Sequence, residues 1–185
     1  MIDMVKMETE EKMEKSIESL HRAYQKIRTG RATPDLLDDI MVDYYGTPTA
    51  IRQVANISVP EARLVIVQPW EKNILADVEK AIQASNLGLT PQNDGNVIRL
   101  NIPALTEDRR KDLVKECKSI GEDSKVAIRN IRRDSNDKLK KAEKAKEISE
   151  DLLKDALSEI QTLTDSYIKK VDELIVVKEK EIMEV

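Results

Sequence analysis

All six prolines of the 185-residue sequence lie between Pro34 and Pro103, so both flanks are free of the residue that most reliably breaks a helix. In those flanks apolar residues recur at helical period. Met13, Ile17, Leu20, Tyr24 and Ile27 follow one another at spacings of four and three, along one helix face. The pattern stops at Thr29-Gly30-Arg31-Ala32-Thr33-Pro34, which predicts a first helix ending near Gly30. A second helix should open at Thr106, whose hydroxyl can cap the amides that follow, with Glu107 and Asp108 on the positive helix end. Its seam reads Leu113, Cys117, Ile120, Ser124, Ala127 and Ile131, fading into the lysine-rich run Lys138 to Lys146, and Cys117 is read as a core residue. A third stretch restarts at Ser149 and runs Leu153, Leu157, Ile160, Thr164, Tyr167, Val171 and Leu174. Helices of about 27, 40 and 34 residues would be about 40 to 60 Å long and pack side by side as a three-helix bundle.

Between Arg31 and Leu105 the period changes. Ile40 to Tyr45, Val54 to Val59, Leu64 to Gln68 and Asn96 to Ile102 read as strands, separated by Gly46, Pro60, Pro69 and the Asn93-Asp94-Gly95 turn. Glu71 to Ser85 places Ile74, Leu75, Val78, Ala81 and Ile82 on one helix face, with Gly88 in the Leu87-Gly88-Leu89 run as the C-cap. The expected fold is therefore α+β in two domains: a bundle of residues 1–30 and 106–185, and a small β-rich α/β domain, 31–105, inserted after helix one. Two chain crossings, near Gly30 and near Pro103, join the domains and make a natural hinge.

Several function classes are excluded. The longest apolar runs, Leu64 to Val67 and Leu174 to Val177, fall far short of the roughly 20 residues that span a bilayer, so no membrane segment is expected. The acidic N-terminal region has neither the order of a signal peptide nor the arginine-rich character of a transit peptide, which reads as cytoplasmic. One cysteine and one histidine cannot supply the ligands of a usual zinc site. The five glycines are never spaced as a phosphate-cradling loop or a nucleophile elbow, and His21 sits at helical spacing between Ile17 and Tyr24, a half-buried packing position. No cofactor and no catalytic carboxylate pair is indicated, so the chain does not read as an enzyme.

The net charge of −4 conceals a segregation: residues 106–146 carry 14 basic and nine acidic side chains, whereas 147–185 carry five and 11. Within helix two, Lys111, Lys115, Lys118, Lys125, Arg129 and Arg132 keep the rhythm of the seam, the first five of them two residues before a seam position, with Arg109, Arg110 and Arg133 flanking them. Two residues correspond to about 200° of rotation, so the stripe should point away from the bundle core. It suits either a solvated helix face or an RNA contact, for which arginine's planar fork is well shaped.

Residues 26–32 (Lys26-Ile27-Arg28-Thr29-Gly30-Arg31-Ala32), Tyr44-Tyr45-Gly46-Thr47-Pro48-Thr49, Leu105-Thr106-Glu107-Asp108-Arg109-Arg110-Lys111 and Val126-Ala127-Ile128-Arg129-Asn130-Ile131-Arg132-Arg133-Asp134 closely resemble the bacterial ribosome recycling factor family. Lys146-Glu147-Ile148-Ser149-Glu150-Asp151 and Leu163-Thr164-Asp165 extend the resemblance over nearly the whole chain. It departs from the family only locally, at Ala50-Ile51, where Pro-Leu is common. The resemblance implies an L-shaped, tRNA-like pair of domains. It also implies a factor that binds the post-termination ribosome and, with elongation factor G and GTP hydrolysis by that partner, separates the subunits and releases tRNA and mRNA. Arg110, Lys111, Lys118, Lys125, Arg129, Arg132 and Arg133 become the candidate contacts to large-subunit ribosomal RNA at the intersubunit face. Gly30, Arg31, Pro103, Ala104 and Leu105 become the hinge. Specific DNA binding is not expected, because no groove-reading motif is present. A monomer is expected when free, whereas a coiled-coil adaptor, the competing class, would associate with concentration. A nucleic-acid enzyme, a third class, would need the base, metal set or phosphate loop that the sequence lacks.

Overall fold

Three long amphipathic segments and one short one form helices in the computed structural model, which describes residues 1–184: α1 (Ile2–Gln25), α2 (Leu75–Ala84), α3 (Glu107–Lys144) and α4 (Glu150–Met183). At 1.5 Å per residue α1, α3 and α4 are about 36, 57 and 51 Å long. Thr106 and Ser149 cap the last two: their hydroxyls accept the backbone N–H of Arg109 at 3.1 Å and of Leu152 at 3.2 Å. Such a cap is worth about 1 kcal/mol, and Glu107, Asp108, Glu150 and Asp151 add favourable charge at the same ends. Between α3 and α4 the chain reverses at Lys146 (φ +60), while the Glu147 N–H donates back to the Ala142 carbonyl at 2.9 Å.

The chain divides into two compact units, Met1–Arg28 with the chain from Thr106 onward, and Thr29–Leu105. In the first, Met13, Ile17, Leu20, Tyr24, Leu113, Cys117, Ile128, Leu139, Ile160, Tyr167 and Val171 are buried. Each large apolar side chain so buried contributes about 1.5 to 3 kcal/mol. Buried polar groups find partners across the helices, apart from Arg110 Nε, Ser124 Oγ, Asn136 Oδ1 and Glu179 Oε1, which have no hydrogen-bond partner among the described residues. The Tyr24 hydroxyl donates to the Cys117 carbonyl at 2.8 Å, and Thr9, whose hydroxyl donates to the Val5 carbonyl at 2.6 Å, shares a 2.5 Å hydrogen bond with Ser135 across α1 and α3.

The second unit contains β1 (Met41–Tyr44), β2 (Thr47–Ala50), β3 (Ala55–Glu61), β4 (Leu64–Pro69), β5 (Pro91–Asn93) and β6 (Ile98–Asn101). β1 and β2 form a hairpin, and the other four make an antiparallel sheet in the order β3-β4-β6-β5. Val65 and Val67 of β4 and Ile98 and Leu100 of β6 alternate inward. They join Leu37, Val42, Ile51, Val78 and Ile82 in one core. The fold is α+β, a set of long helices plus a small β-sheet unit.

Four local expectations are corrected. α1 ends at Gln25, not near Gly30, because the Ile27 N–H turns back to the Tyr24 carbonyl at 3.1 Å, a tight turn that buries Ile27. The segment read as a helix from Glu71 opens with a 3-10 turn at Lys72–Ile74 and stops at Ala84, where the Ser85 hydroxyl donates to the Ile82 carbonyl at 2.5 Å. Gly88 is thus not its cap. Strands β2 and β5 escaped the pattern reading because each is short and carries a proline, tolerated here in a hairpin partner and an edge strand. His21 is exposed rather than half-buried.

Candidate nucleic-acid interface

The basic residues of α3 are positioned by its seam, and that seam differs from the one the apolar pattern predicts. The buried positions are Leu113, Cys117, Gly121, Ile128, Ser135, Leu139 and Ala142, whereas Ala127 is exposed and Ile120 and Ile131 are only half-buried. The seam therefore passes through Gly121 and Ser135, which carry no hydrophobic signal. Gly121 is needed there: a Cβ at this position would stand 2.5 Å from Ile175 Cγ1 and 3.0 Å from the Tyr24 hydroxyl.

This register changes where the basic stripe points. Lys118, Lys125 and Arg132 each lie three residues before a buried position, about 60° from the seam and not the 200° expected. They flank the groove toward α4. Lys118 Nζ lies 3.8 Å from Glu179, and Arg132 Nη1 donates to Gln161 Oε1 at 3.4 Å. Lys125 is largely enclosed, its side chain 14% exposed, paired with Asp172 and with Glu122 at 3.2 Å. Its hydrogen bond to Asp172 is the chief reason its ammonium holds its proton above the usual lysine range. The expectation that the whole stripe faces away from the core is thus corrected: Lys118, Lys125 and Arg132 tie α3 to α4.

The remaining cations divide off on the outer side. Lys111 is exposed and pairs only within its own helix, with Glu107 at 3.5 Å. Arg133 is exposed and Arg129 half-exposed, and neither forms an ion pair among the described residues; Arg110 is unpaired too, but it stands three residues before buried Leu113, beside the seam, with its Nε buried and without a hydrogen-bond partner. Arg109 and Lys115, outside the predicted contact set, are equally exposed and unpaired. The outward face of α3 therefore carries fixed positive charge that the bundle does not neutralise, an arrangement that attracts a polyanion. Cys117 takes no part: burial raises its thiol pKa, which keeps it protonated and unreactive. No cluster of metal-ligating side chains occurs among the described residues, and no described helix is long and apolar enough to cross a membrane.

The candidate hinge residues lie on the two crossings. Gly30 has φ +74, and a Cβ there would stand 3.0 Å from Leu105 Cγ, so the crossings run against each other at this point. Each is anchored to the β3–β4 turn by one backbone bond, Ala32 N–H to the Ala62 carbonyl at 2.7 Å and Ile102 N–H to the Arg63 carbonyl at 2.8 Å. Pro103 and Ala104 follow the second anchor and are exposed, as is Arg31 before the first.

A sequence model of the ribosome recycling factor family matches residues 6–183. The chain is 58% identical over 176 residues to the ribosome-recycling factor of Caldicellulosiruptor bescii, covering 95% of this chain and 96% of that protein. It is 57% identical over its full length to that of Syntrophomonas wolfei, covering all of both chains. A solution structure of the ribosome recycling factor superposes with a TM-score of 0.80 at 40% identity, covering 100% of this chain and 98% of that one. A second solved chain comes from models for the T. thermophilus ribosome recycling factor and the E. coli elongation factor G bound to the E. coli post-termination complex. It gives a TM-score of 0.65 at 46% identity, covering 98% of each chain. With matches of this extent in sequence and in structure, the chain belongs to the ribosome recycling factor family.

Proposed function

We propose that this protein docks the outward basic face of α3 on large-subunit ribosomal RNA of the post-termination ribosome. With elongation factor G and GTP hydrolysis by that partner, it then splits the ribosome into subunits. The observation that carries the docking surface is the division of α3's cations: Arg110, Lys111, Arg129 and Arg133 lack any interhelical carboxylate, whereas Lys125 is held by Asp172 of α4 as well as by Glu122 of its own helix. Arg132 and Lys118 sit at the border, loosely held at 3.4 and 3.8 Å, and complete the contact by turning outward. Lys125 is the strut that fixes the face to α4. Membership of the family supports the partner and the outcome.

The two crossings act as the hinge on which the inserted unit moves after docking, with Gly30 and Arg31 on one and Pro103, Ala104 and Leu105 on the other. The apolar seam is filled by the chain's own helices, so the free protein is monomeric, and sedimentation at rising concentration checks this directly. Docking is tested by the salt dependence of large-subunit binding. A contact built on several phosphates releases counterions, so log affinity should fall steeply and linearly with log salt, and Arg129→Ala should flatten that slope by about 0.7 to 0.9. A flat response, or one unchanged by the variant, would remove the electrostatic basis of this reading.

A further inference from the structure

The Tyr44-Tyr45-Gly46 turn belongs to a conspicuous sequence run, yet the basic helix makes no use of it. It closes the β1–β2 hairpin with two positive-φ residues, Tyr45 (φ +50) and Gly46 (φ +84). Asn or Asp followed by Gly enters that geometry most easily, and a tyrosine there must be held by other contacts. Four hydrogen bonds hold it. The Tyr44 and Tyr45 hydroxyls donate to the two oxygens of the Glu71 carboxylate, each at 2.8 Å. Asn73 Nδ2 donates to the Tyr45 oxygen at 2.8 Å, and the Gly46 N–H donates to Asp43 Oδ1 at 2.8 Å. The two rings meet edge to face with centroids 4.6 Å apart.

Despite these ties Tyr45 remains 67% exposed. A ring that is fixed in orientation and open to solvent has already lost the freedom that binding would take from it. Its surroundings say what it can receive. The inserted unit, residues 31–105, carries nine acidic and six basic side chains, and Asp43 and Glu71 stand at the turn itself, beside a single neighbouring lysine, Lys72. That charge repels a phosphate backbone. It suits a guanidinium, which can lie flat on a tyrosine face while a carboxylate sits nearby. We infer that this turn is a docking platform for a protein segment that presents arginine side chains.

The test uses the full chain, isotope-labelled for NMR, and needs no ribosome, so its outcome is separate from the docking of α3. Three probes are titrated: an arginine-rich peptide without aromatic residues, its lysine counterpart, and single-stranded oligouridine. The arginine peptide should shift the signals of Tyr44, Tyr45, Glu71 and Asn73 and bind about threefold or more tightly than the lysine peptide. Oligouridine should leave those signals unmoved. Tyr45→Asn removes the ring and keeps a residue at ease with positive φ, so the turn persists while arginine-peptide affinity falls about threefold or more. Equal response to both peptides would reduce the site to plain charge. Shifts caused by oligouridine, unchanged affinity in Tyr45→Asn, or no response of these four signals at millimolar peptide would overturn the inference.

Discussion

Substituting Gly121 by alanine tests the register of α3, and through it the assignment of every basic residue on that helix. An added Cβ would lie 2.5 Å from Ile175 Cγ1, about 1 Å inside the normal contact distance of carbon atoms. The Tyr24 hydroxyl, 3.0 Å away, cannot yield, because it is tied to the Cys117 carbonyl at 2.8 Å. Ile175 must therefore move, an overpacking cost of about 2 kcal/mol. Alanine recovers about 1 kcal/mol over glycine in helix propensity, so Gly121→Ala should destabilise by about 1 kcal/mol net. In an Ile175→Ala background the overlap with Ile175 is relieved, and only the 3.0 Å approach to the Tyr24 hydroxyl is left against the propensity gain. There the same substitution should stabilise by up to about 1 kcal/mol, giving a coupling of about 2 kcal/mol. Urea denaturation followed by helical circular dichroism measures all four corners of the cycle. If Gly121→Ala stabilises in both backgrounds, the helices do not approach at Gly121. The seam would then run through Ile120 and Ala127, and Lys118, Lys125 and Arg132 would face outward.

Arg132→Ala gives up only a 3.4 Å bond to Gln161, so its thermal midpoint should move by less than about 0.5 kcal/mol allows. Large-subunit affinity, read by co-sedimentation, should meanwhile fall about ten-fold to a hundred-fold, and further than in Lys115→Ala. Tyr167 is pushed up to about 12, chiefly by burial and then by its bond to Glu14, and Tyr24 is raised chiefly by burial. Because the unfolded chain ionises these tyrosines near 10, their contribution is fully present below that pH. It is lost as pH climbs through the folded values, and Tyr167→Phe should make this alkaline fall in urea midpoint shallower. Gly30→Ala forces a side chain into a positive-φ position against Leu105, and it should slow subunit splitting more than it weakens binding. Equal effects on splitting and binding would remove Gly30 from the hinge.

The period of α1 and α4 was readable because their seams are apolar almost throughout, from Met13 to Tyr24 and from Ile160 to Val171. The seam of α3 was not, because Gly121 and Ser135 are buried for reasons that hydrophobicity does not encode. Gly121 makes room for Ile175, and Ser135 answers a hydroxyl on α1. Taking Ile120 and Ala127 in place of Gly121 and Ile128 displaces those two seam positions by one residue, about 100°, and turns three seam-flanking cations outward. The caps at Thr106 and Ser149 were legible because a side-chain acceptor three residues before an orphan amide is a local feature. The aromatic turn at Tyr45 depends on Glu71 and Asn73, 26 and 28 residues away, and no local pattern announces that pairing.

The central claim is that this chain, with elongation factor G and GTP, takes the post-termination ribosome apart. Light scattering of purified post-termination ribosomes measures it directly, as loss of intact particles after mixing. Splitting should require all three components, should stop when a non-hydrolysable analogue replaces GTP, and should fail with a variant lacking the Arg129, Arg132 and Arg133 charges. If elongation factor G and GTP split the particles equally fast without this protein, or with that variant bound no differently from wild type, the account is contradicted.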